Sequence, residues 1–167
     1  NAGDRLAHPK VVEQLLPWME QDMDLLYSDC WIVDSEGNPL GLRSALGTQS
    51  IGPGLTWKDF KYGMRICHQC FIPKRSLCPR YDEHWKISAD IDWEIQIMKK
   101  ARSLHYLEEP IAKFLHGGAS HKQLNRAWKE RYQVLGKHFG WGPNLVHHAY
   151  IGLRAIALIL KKGGRYW

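Results

Sequence analysis

Asp24-Leu25-Leu26-Tyr27-Ser28-Asp29-Cys30-Trp31-Ile32-Val33 is rich in aromatic and branched apolar residues, and Asp34-Ser35-Glu36-Gly37-Asn38 behind it is rich in turn formers. A strand and a hairpin-like turn towards Pro39 to Arg43 are expected. Upstream, Val11, Val12, Leu15, Leu16 and Trp18 recur at helical spacing within His8 to Glu20, with Pro9 suited to a first turn. Downstream, three glycines and a proline make Ser44 to Gly54 an irregular loop, Thr56 can cap a short helix through Tyr62, and Ile66 to Pro73 reads as a buried strand. Ser88 can cap a helix to about Arg102, with Ile91, Ile95 and Met98 on one stripe. Leu104 to Leu107 and Ile111 to Leu115 read as short strands around Glu108-Glu109-Pro110. Beyond Gly117-Gly118 the pattern is helical, interrupted near Gly140 to Pro143. Strands mixed with helices indicate an α/β fold with an open sheet.

The 167 residues are 44% apolar and 11% aromatic, enough for one core and one domain, which excludes disordered and fibrous classes. The longest near-apolar run, Ala149 to Leu160, contains Arg154 and falls short of the roughly 20 apolar residues a bilayer span needs. No signal-peptide pattern opens the chain, and it starts at Asn1, so it reads as a piece of a longer polypeptide. Charge is uneven. Residues 1 to 120 carry 14 basic and 16 acidic side chains, residues 121 to 167 carry 9 and 1. Basic density of that order suits an anionic partner, or simply a solvated helix face.

Four cysteines are too few for a disulfide scaffold of this length, so reduced thiols in a cytoplasmic setting are the simpler inference. Cys67, Cys70, Cys78 and His84 are ligand types that zinc takes, but a straight strand over residues 66 to 72 would point Cys67 and Cys70 to opposite faces. Structural zinc is therefore the lesser reading.

Two acids stand out by position. Asp4 follows the small-residue segment Asn1-Ala2-Gly3, where backbone can approach a ligand closely, and a carboxylate there can hold a divalent cation that bridges phosphates. The plainer reading is a turn-capping Asp. Asp90 lies in the first turn of the midchain helix, where the helix dipole favours the ionised form that a proton acceptor needs. The plainer reading again is that Asp is common in first turns, and Asp92 and Glu94 can equally face solvent. Among the histidines His68, His116 and His121, His116 is placed before two glycines, so its imidazole can reach a metal or phosphate. No nucleophile elbow, Walker loop or dinucleotide fingerprint is present.

In this order along the chain, Asn-Ala-Gly-Asp at 1 to 4, His68-Gln69 before Phe71, Ser-Ala-Asp-Ile-Asp-Trp at 88 to 93 and Phe-Leu-His-Gly-Gly-Ala-Ser at 114 to 120 resemble the family 2 glycosyltransferases. The likeness covers residues 1 to about 122 and implies the C-terminal half of a GT-A domain, Rossmann-like with a mixed open sheet, followed by a basic helical tail over residues 123 to 167. It implies metal-dependent, inverting chemistry in which a sugar passes from a nucleotide-sugar donor to a glycan or lipid-linked acceptor. It implies that Asp90 is the catalytic base; that Asn1, Gly3, Asp4, Gly117, Gly118 and Ser120 serve the donor; that His68 and Gln69 line the acceptor side; and that Asp4, with His116, holds Mg²⁺ or Mn²⁺. Ala89 stands where the family usually has Glu. The likeness also implies that the nucleotide-binding half precedes Asn1, so residues 1 to 167 alone are expected to have little or no transferase activity.

Trp128, Tyr132, Trp141, Tyr150, Tyr166 and Trp167 lie among Lys and Arg in the tail. That combination suits an amphipathic helix over residues 144 to 167 docking on an anionic membrane from the cytoplasmic side, where lipid-linked acceptors are found, or a helix packed on the catalytic domain. A nucleic-acid-binding or zinc-binding module without enzymatic activity is the alternative of a different class, and nucleic acid is the less favoured partner.

Overall fold

The computed structural model describes residues 3–117 and 123–161. Its elements are β1 (Arg5–Leu6), α1 (Val11–Glu20), β2 (Leu25–Val33), β3 (Pro39–Leu42), α2 (Arg43–Leu46), β4 (Phe71–Pro73), α3 (Ala89–Met98), β5 (Leu104–Leu115), α4 (Leu124–Phe139) and α5 (Trp141–Lys161), with short 3₁₀ turns at Trp57–Tyr62, His68–Cys70 and Arg75–Leu77. The protein is α/β with an open, mixed five-stranded sheet in the order β1-β5-β2-β3, β4 pairing β2 beside β3.

β2 is the axis of the sheet. It runs parallel to β5 and antiparallel to β3 and β4, and nearly all of it is buried, as its apolar content demands. Its pairing with β5 falls into two blocks, Leu25–Ser28 against Leu104–Leu107 and Cys30–Val33 against Ala112–Leu115. The chain bulges between them, at Glu108-Glu109-Pro110, because proline has no N–H to give a ladder. The Ile111 N–H beyond the bulge donates instead to Ser28 Oγ at 3.1 Å. The two short strands expected there are one strand with an interruption.

Other expectations change with tertiary structure. Residues 66 to 70 are not strand: Cys67 leads into a 3₁₀ turn, and only Phe71–Pro73 pairs with β2. The first helix starts at Val11 rather than His8, leaving Pro9 outside, and α2 interrupts the loop after Leu42. α3 ends at Met98, and Ser88 makes no side-chain cap. Glu130 of α4 substitutes for that cap, accepting the Ile87 N–H at 2.7 Å and the Ser88 N–H at 3.1 Å while bound to Arg126 at 2.7 Å. These bonds hold the Glu130 carboxyl down at about 2 against the raising effect of burial. Ile91, Ile95 and Met98 are buried as their stripe requires, in the same core as Val134, Leu135 and Ile151 of the helical tail.

Among the described residues no helix is long and apolar enough to cross a membrane. α5 leaves Leu145, Val146, Leu153, Ile156 and Leu160 exposed, Leu160 by 75%.

Candidate functional site

Ligands of open α/β sheets bind beyond the carboxyl ends of the parallel strands. Here that end is marked by the His116 N–H, which continues β5 by donating to Val33 O at 3.0 Å. β1 brings Asp4 to it. The two-residue ladder of Arg5 with Lys113 and Leu6 with Ala112 sets Asp4 beside Leu115, whose N–H donates to Asp4 Oδ1 at 3.2 Å. Gly3 has φ +92°, and a Cβ there would lie 2.4 Å from Leu115 Cδ2, so glycine is required by the packing of this strand end. Gly117, at φ +91°, turns the chain after His116. Asn1, Gly118, Ser120 and His121 lie outside the described residues.

The second Asp4 oxygen accepts Gln69 Nε2 at 2.7 Å, so the 3₁₀ turn reaches the strand end. Its neighbour His68 faces α3. His68 Nδ1 meets Glu94 Oε1 at 3.2 Å, and Nε2 lies 3.0 Å from the Tyr81 hydroxyl. Trp93 stacks on Tyr81 and meets the His68 ring edge-on. Glu94 is fully buried and its Oε2 has no hydrogen-bond partner. Burial pushes its carboxyl up to about 8 even against the hydrogen bond from His68. His68 is raised above its ordinary value chiefly by that same bond, with burial opposing. Both groups are therefore shifted towards their protonated forms where they meet. Burial, helped by the charges of Asp90 and Glu94, drives Tyr81 up to about 12, so its hydroxyl remains a donor.

Asp90 lies one turn before Glu94 on the same face of α3, in the wall of a cavity of about 200 Å³. Burial raises its carboxyl, opposed by the Ile91 N–H at 2.8 Å and by the charges of His68 and Arg131. Gln69 thus touches Asp4 and His68 touches Glu94, one turn after Asp90, but among the described residues the cavity that holds Asp90 is lined by none of Gly3, Asp4, His68, Gln69, His116 and Gly117. The sequence had left Asp92 and Glu94 free to face solvent, and both are buried. Glu94, Tyr81 and Trp93 were not singled out from sequence, although Glu94 sits four residues after Asp90.

Asp4 is a half-buried carboxylate whose two oxygens each accept a hydrogen bond, Oδ1 from the Leu115 N–H and Oδ2 from Gln69. A phosphate-bridging divalent ion needs only one or two protein carboxylates when substrate oxygens complete its shell. Among the described residues no three His, Cys, Asp or Glu side chains form a metal-holding group, Cys67, Cys70, Cys78 and His84 included.

No protein-family model matches the chain, and no curated protein matches it.

Proposed function

We propose that this chain is part of a glycosyltransferase of family 2 type, built on a GT-A domain, that moves a sugar from a nucleotide-sugar donor to a glycan or lipid-linked acceptor with inversion. The observation that supports the reading is that one 3₁₀ turn meets both acid-bearing segments, Gln69 donating to Asp4 at the strand end and His68 meeting Glu94 one turn after Asp90 on α3.

Asp90 takes the acceptor hydroxyl proton as that oxygen attacks the anomeric carbon opposite the diphosphate. Burial raises its pKa, which strengthens it as a base. Single in-line displacement inverts the configuration. His68 and Gln69 stand on the acceptor side, with the imidazole held between Glu94 and Tyr81. Asp4, with His116 at the same strand end, would hold Mg²⁺ or Mn²⁺. When bound, the ion neutralises charge on the diphosphate leaving group.

The test uses the full-length enzyme that carries this chain. A uridine or guanosine sugar nucleotide should stabilise it against heat only when Mn²⁺ or Mg²⁺ is present, by about 2.7 kcal/mol at a hundredfold excess over Kd. Asp4→Ala should remove the metal-dependent part. Metal-independent stabilisation, or an unchanged response in Asp4→Ala, would overturn the assignment of Asp4.

A further inference from the structure

The cavity beside Asp90 is lined from five separate places in the chain, and three of them bring an arginine. Arg43 comes from α2, Arg131 from α4 and Arg154 from α5, and among the described residues the only carboxylate in the wall is Asp90. Arg65 lies close behind. Arg43 donates to the Met64 and Arg65 carbonyls at 2.7 and 3.0 Å, Arg65 to Gln49 Oε1 at 3.3 Å and Arg154 to Thr48 Oγ1 at 2.5 Å. These partners are carbonyl, amide and hydroxyl oxygens, so they orient the guanidinium groups without cancelling their charge.

Two donors are left over. Arg65 Nε and Arg154 Nε are buried and have no hydrogen-bond partner, a costly arrangement unless a ligand supplies the acceptor. Burial lowers the Arg65 pKa, opposed by the charge of Asp59 and assisted by the like charges of Arg154 and Arg43, so these guanidinium groups sit close enough to repel one another. Guanidinium groups bind phosphate oxygens bidentately and suit this geometry better than ammonium groups would. The rest of the wall mixes Thr48, Gln49, Tyr62 and Ser88 with Ile151 and Leu158 of α5, and the outer face of the same helix exposes Leu153, Ile156 and Leu160.

We propose that this cavity binds the phosphoryl group of the acceptor, a sugar carried on a phosphate or diphosphate with an apolar tail, and so presents the acceptor hydroxyl to Asp90. The assignment rests on the glycosyltransferase reading for the acceptor's role, but the binding itself needs no turnover. It also separates two anion sites: the donor diphosphate needs a metal at Asp4, whereas the acceptor phosphoryl is held by arginines alone.

The experiment titrates inorganic diphosphate, a short isoprenyl diphosphate and uridine diphosphate into the chain in EDTA at low salt, with binding read by calorimetry. Expected are saturable binding of inorganic diphosphate, tighter binding of the isoprenyl compound, and at least tenfold weakening of both in Arg154→Gln with partial recovery in Arg154→Lys. Asp4→Asn should leave the affinities unchanged, and Asp90→Asn should tighten them by removing a like charge. No saturable binding in EDTA, insensitivity to Arg154→Gln, or loss in Asp4→Asn would overturn the site. Binding of uridine diphosphate as tight as that of the isoprenyl compound would assign the cavity to the donor and overturn the acceptor role. Separately, full transfer activity in Asp90→Asn would remove the function reading while leaving an arginine-dependent binding result in place.

Discussion

Asp90 and Asp92 stand two residues apart on α3, and their surroundings differ in every respect that matters to a carboxylate. Asp92 is 1% exposed and faces α4, where His138 Nε2 lies 2.7 Å and Lys137 Nζ 3.2 Å from its Oδ1, while Gln96 donates to Oδ2 at 2.7 Å. Burial tends to raise its pKa, but the hydrogen bonds from His138 and Lys137 outweigh that and lower it. Asp90 faces the cavity and the His68 pair, and there burial wins and the pKa rises. One face of the helix spends its acid on anchoring α4, the other keeps an acid available. A helix turns by about 100° per residue, so i and i+2 look in nearly opposite directions, and position rather than residue type divides the two jobs.

On the proposed transfer reading, the most severe test of that division is Asp90→Asn in the protein that carries this chain. Sugar transfer should fall by about 10²- to 10⁴-fold, the range for loss of a general base, with donor binding and thermal stability close to the parent. Retained turnover would put Asp90 on the same footing as Asp92. The converse variant is Asp92→Ala, which strands His138 and Lys137 beside an empty place in the α3–α4 interface. Removing one partner of a buried ion pair costs about 3 kcal/mol or more, and chemical denaturation should show a loss near the lower end because Lys137 is half exposed. A loss under about 0.5 kcal/mol, the scale of ordinary surface changes, would mean that this face does not anchor the helix.

The same contrast explains what could be read from sequence. β2 and its turn were legible because burial on both sides leaves a continuous apolar run, and the break at Glu108-Glu109-Pro110 because proline cannot join the ladder. The Ile91, Ile95 and Met98 stripe located the buried side of α3. The turn at His68–Cys70 was hidden by its β-prone neighbours, since its shape is set by Asp4 and Glu94, which lie far off in sequence. β1 is two residues long, too short for any period to announce, although it is what carries Asp4 to the strand end. The arginine cavity had no local signal at all, because Arg43, Arg65, Arg131 and Arg154 meet only after the sheet and α5 have come together.

Glu94 gives the finest probe, because a buried acid that holds its proton is nearly mimicked by an amide. At neutral pH Glu94→Gln should change stability least of the three variants. The pH dependence should differ. With the folded carboxyl at about 8 and the unfolded one at its ordinary 4.5, the folded state keeps a proton that the unfolded chain has released. The parent therefore loses stability as pH rises through this window, and His68, also raised in the folded state, contributes in the same direction. Asp92 and Glu130 act elsewhere: their lowered values weaken the fold only as pH falls below the ordinary carboxylate range. Urea unfolding at pH 5.5 and 8.5 should show the parent declining more steeply than Glu94→Gln between the two. A constant difference between the proteins would mean that Glu94 is already ionised in the folded state, and that the cavity face of α3 handles its acids as the α4 face does.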